Sequence, residues 1–165
     1  MGLFDFLKRK AKKSTTSTNV DPGQEEIIQY KTKITGKSIT NQPDLIKKIV
    51  LKMVEEDPFK NFYGGKTDES FTLASGRVYK YAEISTMNVG LLAEKDSGLK
   101  ILIEGIELGV LPENIATEMK PYYHKSTLTA YAFIRGGFFK EYSAETQSVS
   151  ESYIPYDLDI FLQYN

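Results

Sequence analysis

Residues 126–142 read Ser-Thr-Leu-Thr-Ala-Tyr-Ala-Phe-Ile-Arg-Gly-Gly-Phe-Phe-Lys-Glu-Tyr, and their reading decides the fold class. Leu128, Ala130, Ala132 and Ile134 alternate with Thr129, Tyr131, Phe133 and Arg135. A period of two belongs to a strand, and since neither set is fully polar the strand is expected in the interior of a sheet. Gly136-Gly137 reads as a two-residue hairpin turn leading into a second strand at 138–142. The polar stretch 143–152 is expected as a bulge ahead of a last strand, 153–164, in which Tyr156, Leu158, Ile160 and Leu162 share one face.

Upstream the period changes. In Pro43–Glu56, Leu45, Ile46, Ile49, Val50, Met53 and Val54 recur at the spacing of one buried helical stripe. Asn41 or Gln42 stands at its cap, Pro43 suits the first turn and Asp57-Pro58 ends it. Before it, residues 27–34 alternate Ile28, Tyr30, Thr32 and Ile34 with Gln29, Lys31 and Lys33, a strand with one polar face. Residues 70–74 and 78–86 read as a hairpin joined by Ser75-Gly76-Arg77, with a further strand at 89–92.

The apolar run 99–108 suits either element. Leu99, Leu102, Ile103 and Ile106 fit a helix, whereas Ile101 and Ile103 would also fit a strand; its length and Ser97 as a cap favour the helix. A second helix at 112–119 would then complete a helix–Gly–turn–helix outline. These elements define an α+β class: one domain over residues 26–165, a mainly antiparallel sheet, and two or three helices covering it.

Ahead of that domain, residues 1–13 read Met-Gly-Leu-Phe-Asp-Phe-Leu-Lys-Arg-Lys-Ala-Lys-Lys. They hold five cations, Lys8, Arg9, Lys10, Lys12 and Lys13, against Asp5, in a 165-residue chain whose net charge is −1; residues 14–165 therefore carry −5. On a helical wheel Leu3, Phe4, Phe6, Leu7 and Ala11 gather on one side and most cations on the other, as in a short helix lying on an anionic membrane surface. Such an arm could equally dock on a partner or on its own domain, or be an ordinary frayed start. The polar linker 14–25 separates it from the domain. Its charges follow its apolar residues, unlike a secretory signal, and Phe6 stands where a myristoylation pattern needs Ser or Thr. No apolar run approaches the roughly 18 residues of a spanning helix. With no cysteine in the chain, a reducing cytoplasmic setting is expected, with the arm allowing weak peripheral contact with a membrane.

No catalytic pattern emerges. One histidine, His124, and no cysteine leave no Cys–His pair and no multi-histidine zinc site. Ser–His–Asp chemistry lacks a Gly-x-Ser-x-Gly elbow. Gly64-Gly65-Lys66-Thr67 resembles a phosphate-cradling loop, but Lys60 occupies the position of its first glycine. Asp157 with Asp159, and the Glu55, Glu56, Asp57 cluster, are the remaining carboxylate groups; neighbouring acids on an edge strand are also a common guard against sheet-to-sheet pairing.

Neither enzymatic activity nor a cofactor is expected. The expected function is that of a non-catalytic cytosolic protein-binding module: an inhibitor, an immunity-type partner or an assembly component. Its eleven tyrosines and acidic body suit a basic protein partner, although tyrosines are also ordinary sheet residues. The candidate contacts are Phe4, Phe6, Lys8, Arg9, Lys12 and Lys13 on the arm, and Tyr122, Tyr123, Tyr153, Tyr156, Asp157 and Asp159 on the body. The alternative is a nucleic-acid-binding regulator using the helix-turn-helix-like pair at 99–120, disfavoured because Glu113 and Glu118 would face phosphates.

Overall fold

The structure, a computed structural model, describes residues 28–96 and 98–165. The basic arm 1–13, the linker 14–25 and the Ser97 cap lie outside the described residues.

Among the described residues, two antiparallel sheets and three α-helices share one hydrophobic core. The first sheet is built on β7 (Leu128–Ser143) and β8 (Ser148–Tyr164). β1 (Tyr30–Thr35) pairs with β8, while β2 (Val78–Tyr79) and β3 (Ser85–Thr86) pair with the free side of β7. The second sheet is a meander of β4 (Val89–Glu94), β5 (Gly98–Ile103) and β6 (Ile106–Val110). Helix α1 (Gly36–Ile39) is a single turn; α2 (Pro43–Glu56) and α3 (Glu113–Met119) are the longer helices.

The periodicities explain the core. Ala130, Ala132 and Ile134 of β7 and Leu158, Ile160 and Leu162 of β8 point inward. They meet Ile46, Ile49, Val50 and Met53 of α2, all within 1% of full burial. Ile101, Ile103 and Leu108 of the second sheet close the same cluster. Helix α2 keeps the expected bounds: Pro43 and Asp44 sit in its first turn. Past its end the Asp57 carboxylate accepts the Phe59 and Lys60 amides at 2.9 and 2.7 Å.

Several expectations are corrected. The run 99–108 is a hairpin and not a helix: β5 buries Leu99, Ile101 and Ile103 in alternation, and the chain reverses through Glu104-Gly105, both at positive φ. Local length favoured a helix, but β4 offers this run, with its β-branched Ile101 and Ile103, a ladder, and the Glu104 carboxylate is held by the Thr86 hydroxyl and Asn88. The helix-turn-helix outline is therefore not formed, although α3 is. Accordingly the first sheet's inner face is covered by α2 and a second sheet, with α3 packed on β5.

Gly136-Gly137 does not turn the chain. Pairing continues on both sides, from Arg135 opposite Asp157 to Gly137 opposite Ile154, so Pro155 and Tyr156 bulge out of β8 opposite Gly136. The reversal comes at residues 144–147, and 148–152 are strand. The expected 70–86 hairpin is also absent. Ser and Thr side chains fold 68–75 into short 3₁₀ turns, with Thr72 and Ser75 capping one another, leaving β2 and β3 to find partners on β7. Finally, Asp159 is flanked by β1 and β7, and Asp157, just past the end of β1, accepts the Lys37 amide of α1, so neither guards an edge.

A methyl group on Gly137 would overlap the Tyr156 ring, and Gly137 also sits at φ 84°. Gly137→Ala is therefore expected to lower stability by about 2–4 kcal/mol in urea unfolding, combining overpacking with a left-handed backbone cost. Gly90→Ala, where a methyl would meet nothing, is expected to leave the midpoint unchanged or slightly raised.

Candidate functional site

The bulge makes residues 137–143 and 148–154 a ribbon that runs past the helix-covered core, with β2 paired along Phe139 and Lys140 on its β7 side. Because β8 carries one extra residue there, Tyr153 and Tyr156 project to the same side. Tyr156 is buried, stacks on Tyr81 with centroids 6.1 Å apart, and receives the Tyr153 ring edge-on at 5.6 Å. Tyr153 in turn meets Phe138, its cross-strand partner, at 5.0 Å. Phe138 and Tyr153 remain 40% and 47% exposed; Ile154, next in the strand, is exposed on the opposite side of the ribbon.

Lys80 lies beneath this pair. Its amide donates to the Phe138 carbonyl at 2.8 Å, and its ammonium stands 5.4, 5.5 and 6.0 Å from the Phe62, Tyr81 and Phe138 rings. Farther along, Lys140 covers the Tyr63 ring at 4.8 Å and pairs with Asp68 at 2.7 Å, while the Tyr63 hydroxyl donates to Glu151. Successive residues of a strand face opposite ways. Phe139 accordingly turns to the other side of the ribbon and is buried under Arg77, 4.6 Å from its ring. The ribbon is thus braced on both sides while Phe138, Tyr153 and Ile154 stay in solvent.

The other candidates on the body have internal partners. Tyr122 stacks between Tyr30 at 5.6 Å and Tyr164 at 6.0 Å, and the Tyr123 hydroxyl donates to the Ala116 carbonyl at 3.1 Å; both are half-buried where α3 meets the sheet. The Asp157 carboxylate accepts the Lys37 amide at 2.9 Å and starts α1. Asp159 is bonded by Lys33 at 2.9 Å and Arg135 at 3.3 Å, tying β1 to β7 across β8. Glu55 and Glu56 pair with Lys52. His124 lies exposed in a turn, and Gly64-Gly65 closes a 3₁₀ turn with no helix after it. The structure brings Tyr153 and Tyr156 together, separates them from Tyr122 and Tyr123, and leaves the six arm residues outside its described part.

Among the described residues no three His, Asp or Glu side chains converge to hold a metal ion, and no helix is long and apolar enough to cross a membrane. The surface hollow lined by Ser38, Thr40, Gln42 and Glu107 has its hydroxyls engaged by backbone: Ser38 donates to the Thr35 carbonyl and Thr40 accepts the Gln42 amide. Comparison with known protein families, with curated proteins and with solved structures finds no match for this chain.

Phe138, Ile154 and Lys80 escaped the sequence reading. The only local signal was the Gly136-Gly137 pair, and it pointed to a turn; as a bulge it sets Phe138 opposite Tyr153.

Burial holds the Tyr30, Tyr63, Tyr123, Tyr156 and Tyr164 hydroxyls above their ordinary value near 10, with Tyr156 pushed up to about 12. A raised acid is neutral in the fold and ionises earlier in the unfolded chain. Its contribution is complete below about pH 10 and is lost as pH rises through the folded value. Unfolding midpoints are expected to be insensitive to tyrosine ionisation between about pH 6 and 9, then to fall above about pH 10. Tyr156→Phe should make that alkaline fall shallower, and tyrosinate absorbance should titrate late.

Proposed function

We propose that this chain acts without catalysis, as a module that binds another protein through Phe138 and Tyr153 on the β7–β8 ribbon. The observation that carries the reading is the Phe138–Tyr153 pair: two large rings in contact across a ladder, each close to half exposed. Aromatic side chains dominate protein interfaces because they offer wide contact at little cost in conformational freedom. That cost is lower still here, since Tyr156 braces Tyr153 and Lys80 lies under Phe138.

On the side of the pair the ribbon sets Lys140 opposite Glu151, which already accepts the Tyr63 hydroxyl, so the direct complement of the pair is an apolar groove. The acidic balance of residues 14–165 favours a basic partner as a whole. The arm, with Phe4, Phe6, Lys8, Arg9, Lys12 and Lys13, belongs to this reading as a second contact, on the partner or on an anionic membrane surface. The nucleic-acid alternative drew on a helix at 99–108, where the chain forms β5 and β6, and is not carried further.

A photo-cross-linking residue at position 138, used in extract of the native host, would identify the partner. Against that purified partner, Phe138→Ser with Tyr153→Ser is expected to weaken binding at least about 30-fold. The unfolding transition should move only slightly, because both side chains are largely exposed. Leu92→Ser, at an exposed site on the second sheet, should leave affinity unchanged. A folded double variant that binds as tightly as the parent would overturn the assignment.

A further inference from the structure

Among the described residues, three cations lie over aromatic rings on the ribbon and its support, and two of them have a carboxylate. Arg77, over Phe139, pairs with Glu141 at 3.4 Å; Lys140, over Tyr63, pairs with Asp68 at 2.7 Å. Lys80 differs. Its ammonium stands among the Phe62, Tyr81 and Phe138 rings, yet no carboxylate or other acceptor among the described residues reaches it. Glu83 accepts the Asn61 amide instead, and Glu151 the Tyr63 hydroxyl.

Register places this cation beside the exposed pair. Lys80 follows β2, and its amide donates to the Phe138 carbonyl at 2.8 Å. Phe138 in turn lies opposite Tyr153, so the three residues form one row across the strands.

We infer that Lys80 sets the specificity of this site: the partner segment it selects presents a carboxylate next to the apolar side chain that covers Phe138 and Tyr153. The inference rests on the ribbon reading above and deepens it.

Desolvation is the reason. Lys80 is half-buried, and its three ammonium donors depend on solvent. A partner seated on Phe138, whose ring centre is 6.0 Å from that ammonium, displaces the solvent. An ammonium covered without an acceptor is strongly unfavourable, so segments that lack one are rejected. A carboxylate restores charge-assisted hydrogen bonds, stronger than those a neutral amide offers. The rings hold the ammonium in place beforehand, so little side-chain freedom remains to be lost. A partner cation is repelled by Lys80 and finds the ring faces occupied.

Charge then acts at two ranges. The acidic balance of residues 14–165 steers a basic partner in, while Lys80 fixes the one acid that seats beside the pair. An ion pair spans about 4 Å, which puts that carboxylate within about 10 Å of the Phe138 ring centre. On an extended segment it lies about one to three residues from the side chain covering the pair.

Short random peptides displayed on phage and panned against the full chain are the probe. Clones that bind the parent but not Phe138→Ser with Tyr153→Ser are those that use the ribbon. They are expected to carry Asp or Glu near an apolar residue. Panning on Lys80→Met should lose that preference, because methionine keeps an unbranched stem among the rings without the charge. Lys80→Arg should retain it. For one such peptide, changing its carboxylate to the amide should weaken binding to the parent about 10-fold and leave binding to Lys80→Met unchanged. The peptide change needs no variant of the chain, so the test stands even if Lys80→Met fails to fold. Ribbon-dependent peptides with no acidic preference, or with one that survives on Lys80→Met, overturn the inference and leave the ribbon reading in place. If no clone depends on Phe138 and Tyr153, both fall.

Discussion

The architecture depends on one ladder, β7 against β8, and on the bulge that interrupts it. Below the bulge the ladder is a core sheet: β1 is zipped to one side, β3 borders the other, and α2 lies on the inner face, while β2 pairs with β7 beyond the bulge. Above it the same strands leave the core as a ribbon. The transition requires two adjacent glycines at positive φ, because a side chain at Gly136 would strike the Pro155 carbonyl and one at Gly137 the Tyr156 ring. One extra residue on β8 resets the alternation. Without it, Tyr153 and Tyr156 would point to opposite sides, and the chain of rings from Tyr81 through Tyr156 and Tyr153 to Phe138 could not form.

Charge has a different task in each region. On the outer face Asp159 is shared by cations from two neighbouring strands, and its side chain is 15% exposed. Such partly exposed pairs contribute at most about 1 kcal/mol each, so their main effect is to hold the three strands in register. On the ribbon Lys80 and Lys140 lie over rings, where their stems cover apolar surface and their ammonium groups meet π-faces. The carboxylates that the sequence set side by side, Asp157 and Asp159, are thereby divided: one begins a helix and the other joins strands.

The two aromatic groups differ in kind. On the ribbon, Phe138 and Tyr153 are half open and stand on a braced support, as anchors that can enter a groove. On the sheet, Tyr131, Phe133 and Phe161 pack on one another, with Phe161 buried. A protruding pair suits a concave partner.

The sequence by itself determined the parts whose signal is local and strong. Helix α2 was legible to its last residue, because Ile46, Ile49, Val50 and Met53 repeat at the helical period between Pro43 and Asp57-Pro58. The sheet character of β1, β7 and β8 and the α+β class were legible from alternation alone. Tyr153 was legible only as a tyrosine. The tertiary structure decided whatever depended on a distant partner. The run at 99–103 is strand because β4 lies beside it, and Gly136-Gly137 is a bulge because β8 continues past it. It also assigned Tyr122, Tyr123 and Tyr156 to packing and left Phe138 with Tyr153 exposed. The reason is physical: side-chain period is fixed by the backbone of a few adjacent residues, whereas register, bulges and exposure are fixed by which strand lies alongside.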